Sequence, residues 1–165
     1  MTEDTPARTL LRKAGRLVAR RAYSRGELRD KLSALGSSEQ IEETLQRLED
    51  LHLLNDSDYA YNFASNRITQ KGWGPVKVYH ALIRRQVSPG IAESALERVR
   101  EEAGERIWLE GYLEKYWRTK HMPRNRKDIG RLVVHLRRRG FHEDAIFDVL
   151  RHRISDEVWR SFDAG

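Results

Sequence analysis

A chain of 165 residues is long enough for one ordinary domain or for a row of small repeats. Hydrophobic residues make up 39% and charged residues 34%, against a usual charged share of about 25%, and mean hydropathy is -0.75, which favours a thin or extended fold over one large globule. Lys and Arg number 31 against 25 acids, a net charge of +6 with a pI near 9.8, which suits a phosphate-rich or acidic partner, while the absence of cysteine excludes disulfides, thiol catalysis and cysteine-ligated metal centres.

Residues 1–8 hold no apolar run, and no run elsewhere approaches the ~20 residues that span a bilayer. A cytoplasmic protein without membrane segments is therefore expected. Periodicity is helical almost throughout. Thr5 followed by Pro6 marks a cap and first helical position, and Leu10, Leu11, Ala14, Leu17 and Val18 share one face. Ser24 with Glu27 forms a capping box for a short helix bearing Leu28, Leu32 and Leu35, closed by Gly36, and Ser37 with Gln40 opens a third with Ile41, Leu45, Leu48 and Leu51.

Asp56 is expected to cap a helix holding Ala60, Phe63 and Ala64. Gly72, Trp73, Gly74 and Pro75 then make a turn into a helix with Val78, Tyr79, Leu82 and Ile83. Ser88 and Pro89 start another, with Ala92, Leu96 and Val99 inward. Only Gly104 interrupts the pattern before Trp108, Leu113, Tyr116 and Trp117, so one long bent helix is expected to join these segments. Met122 and Pro123 break it, Asn125 with Asp128 caps a helix bearing Ile129, Leu132, Val133 and Leu136, and Gly140 ends that one. Residues 142–153 form the ninth and last principal helix, followed by a short tail.

Val78, Leu82, Val87, Ala92 and Leu96 each find an apolar counterpart 54 positions later in Leu132, Leu136, Phe141, Ile146 and Leu150. With a one-residue deletion at its turn, the first segment fits the same scheme through Leu28, Leu32, Ile41 and Leu45. The expected fold is all-α, an elongated, curved array of three tandem three-helix repeats over residues 1–54, 55–101 and 102–165, because a short helical unit buries its apolar face only by stacking on its neighbours.

Two stretches carry a family likeness. Arg20-Arg21-Ala22-Tyr23-Ser24-Arg25-Gly26-Glu27-Leu28-Arg29-Asp30-Lys31-Leu32 resembles the opening signature of the RecX regulatory proteins. Asp56-Ser57-Asp58-Tyr59-Ala60-Tyr61-Asn62-Phe63-Ala64 with Lys71-Gly72-Trp73-Gly74-Pro75 resembles that family's second repeat, and Arg138-Arg139-Gly140-Phe141 with Ile146 and Leu150 its third. The resemblance implies a small cytoplasmic regulator that binds the RecA recombinase filament on single-stranded DNA, lies in its groove across neighbouring subunits and restrains ATP hydrolysis and strand exchange. A monomer with no catalytic residue, cofactor or metal of its own is expected. This chain departs from that pattern at Gly36-Ser37-Ser38, which lacks the apolar residue supplied by Val87 and Phe141, and at acidic Glu27.

A basic stripe supplies the candidate contact residues. With Lys127 at zero on a wheel of about 100° per residue, Arg138, Arg131 and Arg124 fall near 20°, 40° and 60°, opposite the apolar residues. The repeat offset pairs Arg131 with Lys77 and Arg138 with Arg84. Arg12, Arg16 and Arg20 form a second basic side, and Lys71 and Trp73 at the glycine turn are further binding candidates. A solvated helical face is the plainer explanation of any one stripe, and local packing the plainer role for Trp73. The glycine turn lacks the ending of a phosphate loop, the six histidines lack metal-ligand spacing, and residues 55–58 suit a helix cap better than a calcium loop. The alternative function is direct nucleic-acid binding through helix-turn-helix pairs at residues 24–47 and 74–99, against which stand the acids Glu39, Glu42, Glu43, Glu49 and Asp50.

Overall fold

A computed structural model describes residues 6–163, and among these there are ten helices and no strand. They are α1 (Pro6–Val18), α2 (Arg25–Leu32), α3 (Ser38–Asp50), α4 (Asp56–Thr69), α5 (Pro75–Arg84), α6 (Pro89–Glu102), α7 (Glu105–Trp117), α8 (Arg126–Arg139), α9 (Glu143–Arg153) and α10 (Asp156–Asp163). Local chemistry accounts for most of their ends. Both capping boxes form: the Ser24 and Ser37 hydroxyls accept from the amides of Glu27 and Gln40, whose side chains accept in return from the capping residues' amides. Asn125 caps α8, and Gly140 ends it at φ 94°, a left-handed conformation that glycine adopts without a Cβ penalty.

Several expectations are corrected. No long bent helix joins α6 to α7, because Gly104 takes an extended conformation and becomes the N-cap of α7. Gly36 does not close α2, which stops at Leu32 with Ser33 as its cap. Asn55 rather than Asp56 caps α4, its side chain accepting from the Asp58 amide. Asp56 instead accepts from the Arg25 amide at 2.6 Å, serving the start of α2. The tail after α9 is helical, where Trp159 of α10 is buried. Leu35 and Leu51 are exposed and Leu96 only partly buried, while Leu54 takes a core position. Thr5 lies outside the described residues.

The chain forms two compact units, Met1–Asn62 with Leu82–Ala95, and Phe63–Ala81 with Leu96–Gly165. The first has a core of Leu10, Ala14, Leu28, Leu32, Ile41, Leu45, Leu48 and Leu54. The second is centred on Leu109, Leu113, Ile129, Leu132, Leu136, Phe141, Ile146, Val149 and Leu150. The unit boundaries fall inside α4, α5 and α6, and a similar fastening occurs within each unit.

In the first unit the Ser24 hydroxyl, at the start of α2, donates to the Arg85 carbonyl in the turn after α5. In the second, the Gly74 amide, at the start of α5, donates to the Arg139 carbonyl at 2.8 Å, and the Val76 amide donates to the Gly140 carbonyl at 3.0 Å. The apolar alignment makes Ser24 equivalent to Gly74 and Arg85 to Arg139. Gln86 and Gly140, the next residues of each turn, both take positive φ, 59° and 94°. A Cβ on Gly74 would lie 2.2 Å from the Gly140 carbonyl carbon, so this close backbone approach requires glycine.

Candidate functional site

Helix α8 buries Ile129, Leu132, Val133 and Leu136, which turns Lys127, Arg131 and Arg138 outward, all exposed. Val134, nearly half exposed, falls on the same side, forming a shallow surface with Arg137 and Arg138. The row runs towards the helix C-terminus, where Arg137, Arg138 and Arg139 meet the negative end of the dipole. Arg124 is exposed before α8, and its amide donates to the Asp128 carboxylate at 3.2 Å. That carboxylate also lies 3.7 Å from Arg131, whose side chain is 69% exposed, so the pair restrains the guanidinium little.

The other predicted residues separate into different settings. Lys77 is half-buried, with its ammonium 4.5 Å from the centroid of Trp73, a cation–π contact that its repeat counterpart Arg131 does not share. Trp73 is itself half-buried, and the guanidinium of Arg67 lies 5.3 Å from its ring. Lys71 is exposed beside it. Arg84 belongs to the first unit, as do Arg12, Arg16 and Arg20, and all four are exposed. The second unit thus brings together Arg124, Lys127, Arg131 and Arg138 on and beside α8, with Lys77 and Trp73 at the glycine turn.

Three features lie beyond the sequence pattern. Arg139, adjacent to the row, turns inward: its Nε donates to the Gly72 carbonyl at 3.1 Å, its Nη2 to the carbonyls of Gly72 and Lys71, and its guanidinium sits 5.0 Å from the Tyr112 ring centroid. Nearby, Tyr112 Oη and His135 Nε2 are 2.7 Å apart, and burial, with the charges of Arg139 and Arg138, pushes the His135 pKa down. Arg25 is held by Glu42 at 2.8 Å and Glu49 at 3.0 Å, while Arg29 reaches Glu42 at 2.5 Å. Hydrogen bonds from Arg29 and then Arg25 push the Glu42 pKa down from 4.5 to about 2. The third feature is a cleft of about 380 Å³ between the end of α7 and the start of α8.

No group of three or more His, Asp or Glu residues suited to a metal ion occurs among the described residues. His142 meets Glu105 of α7, with Nδ1 2.8 Å from the carboxylate, while Glu143 and Asp144 occupy the first turn of α9. No described helix is long and apolar enough to cross a membrane.

The described residues form an all-helical protein that carries an exposed cationic row on α8. Residues 11–48 match the first three-helix domain of RecX, and residues 55–96 the second. Regulatory protein RecX of Prosthecochloris aestuarii is 35% identical over 89% of this chain and 95% of its own, and that of Pseudomonas syringae pv. tomato 34% identical over 93% and 97%. The crystal structure of RecX from Lactobacillus salivarius shares the fold with a TM-score of 0.73 over 89% of this chain and 96% of that one, at 22% identity. The chain belongs to the RecX family of regulatory proteins.

Proposed function

We propose that this protein binds the RecA nucleoprotein filament along its groove and restrains ATP hydrolysis and strand exchange by steric and conformational means. The reading rests on family membership, and the observation that carries it to particular residues is the α8 row, where Lys127, Arg131 and Arg138 stand exposed opposite a fully apolar buried face. These side chains, with Arg124, Lys77 and Arg84, contact DNA phosphates or acidic side chains lining the groove. Arg12, Arg16, Arg20, Lys71 and Trp73 are secondary contacts. The three-helix repeats, residues 1–54, 55–101 and 102–165, meet successive subunits of the polymer, so individually modest contacts add through avidity.

Direct helix-turn-helix binding through α2 and α3 is disfavoured by their electrostatics. Arg25 and Arg29 of α2 are paired with Glu42 and Glu49 of α3, which reduces the positive charge that this helix pair offers to phosphate. The deciding experiment measures RecA's DNA-dependent ATP hydrolysis against added protein. Slowing at less than one molecule per RecA subunit is expected, and unchanged turnover at saturation overturns the proposal.

A further inference from the structure

The cleft between α7 and α8 has walls of two kinds. Tyr116, Trp117, Met122, Pro123 and Leu132 give it an apolar lining, and Lys120, His121, Arg124 and Arg131 a cationic one, with Asp128 its single carboxylate. The aromatic wall is held in place from behind: Trp117 packs on the core of the second unit, and Tyr116 lies 5.9 Å from Tyr112 and 5.0 Å from His135 between ring centroids. Met122 is 45% exposed in the segment joining the helices, an unbranched apolar side chain left in water beside cations.

We infer that this cleft captures one unpaired nucleotide of a single strand, its phosphate against Lys120, Arg124 and Arg131 and its base against Tyr116, Trp117 and Met122. The volume of about 380 Å³ lies at the lower end of the ~300–1000 Å³ typical of ligand pockets, a size suited to a single nucleotide. A base offers an apolar aromatic face, the chemistry that this wall complements. Duplex hides those faces in its stack, whereas a single strand presents them. The inference deepens the proposed phosphate contacts of Arg124 and Arg131 by giving that end of the row a means of telling a bare strand from a paired one.

The test uses the whole protein without RecA, so its outcome is independent of the ATPase experiment. Binding is measured with a labelled short oligothymidylate, an abasic strand of equal length and a duplex, and thymidine monophosphate and polyglutamate serve as competitors. The base-bearing strand is expected to bind roughly five- to a hundredfold more tightly than the abasic one, the factor that stacking a single base supplies. It also quenches tryptophan fluorescence, and Trp117→Phe removes that signal. Met122→Ser, at an exposed position, should shrink the preference for the base while leaving abasic binding, and Arg124→Ala with Arg131→Ala should weaken both strands. Weak competition by thymidine monophosphate supports the strand as ligand; competition as strong as the strand's own affinity overturns it in favour of a free nucleotide. Equal affinity for abasic and base-bearing strands, a preference for duplex, stronger displacement by polyglutamate than by unlabelled strand, or a preference untouched by Met122→Ser and quenching that persists in Trp117→Phe would each refute the inference.

Discussion

Gly74→Ala adds one methyl group where two backbone segments touch, and its cost follows from the geometry. The new Cβ would meet the Gly140 carbonyl carbon at 2.2 Å, its oxygen at 2.3 Å and the Phe141 amide nitrogen at 2.3 Å. All three are backbone atoms, so no side chain can swing aside. Gly74 does not have positive φ, so the residue change brings no conformational strain of its own. Separating the segments breaks the bonds from the Gly74 amide to the Arg139 carbonyl and from the Val76 amide to the Gly140 carbonyl. A donor left buried without a partner costs about 1–3 kcal/mol, and alanine's restriction of the unfolded chain returns less than about 1 kcal/mol. The net loss should be about 2–5 kcal/mol, a fall in melting temperature of roughly 4–20 °C for a chain of this size. Gly130→Ala is the internal control: it lies inside α8 with nothing within 4 Å of its would-be Cβ, so the same change should stabilise by up to about 1 kcal/mol. Melting followed by helical circular dichroism, with tryptophan fluorescence reporting on Trp73 beside the junction, measures both. Equal melting temperatures for Gly74→Ala and Gly130→Ala would refute the close-approach argument.

Ser24→Ala removes both the cap of α2 and the hydroxyl that serves the Arg85 carbonyl from a fully buried position, and should cost roughly 2 kcal/mol by urea denaturation; a loss below about 0.5 kcal/mol would contradict the junction's role. Because the folded-state pKa of Glu42 lies near 2, below the usual 4.5, its ion pairs stabilise the fold above pH 4.5, and that contribution is lost as pH falls towards 2. The stability difference between wild type and Glu42→Gln should therefore shrink over that window, and a difference constant with pH would show that the arginines do not hold the carboxylate. Replacing Lys77, Arg84, Arg131 and Arg138 together by alanine should weaken filament binding and flatten its salt dependence, with a small stability loss of about 0.5–1 kcal/mol from the Lys77–Trp73 contact alone. Unchanged affinity in a folded variant would leave those residues as a solvated face.

The sequence alone determined those features whose causes act within a turn or two of helix. The capping boxes at Ser24 and Ser37, the Asn125 cap and the left-handed Gly140 depend on residues up to four positions apart, and all form as their spacing dictates. The buried face of α8 followed from helical periodicity in the same way, and with it the outward direction of Lys127, Arg131 and Arg138. Even the equivalence of Ser24 with Gly74 was legible as an alignment of apolar positions.

Partners that are distant along the chain were decided only by the tertiary structure. Arg139 directly follows Arg138, a step of about 100° of helical rotation, which turns it from the row into a clamp on carbonyls 67 and 68 positions away. Asp56 looked like the cap of its own helix, but its carboxylate reaches an amide 31 residues earlier, and Asn55 does the local capping. The cleft beside α8 arises because a non-helical connection sets residues 116–124 against residues 128–132, leaving a space that no count of residues along either helix contains. Short-range hydrogen bonds and helical periodicity are written in neighbouring residues, whereas cation–π pairs, clamps and clefts depend on which helices the core brings side by side.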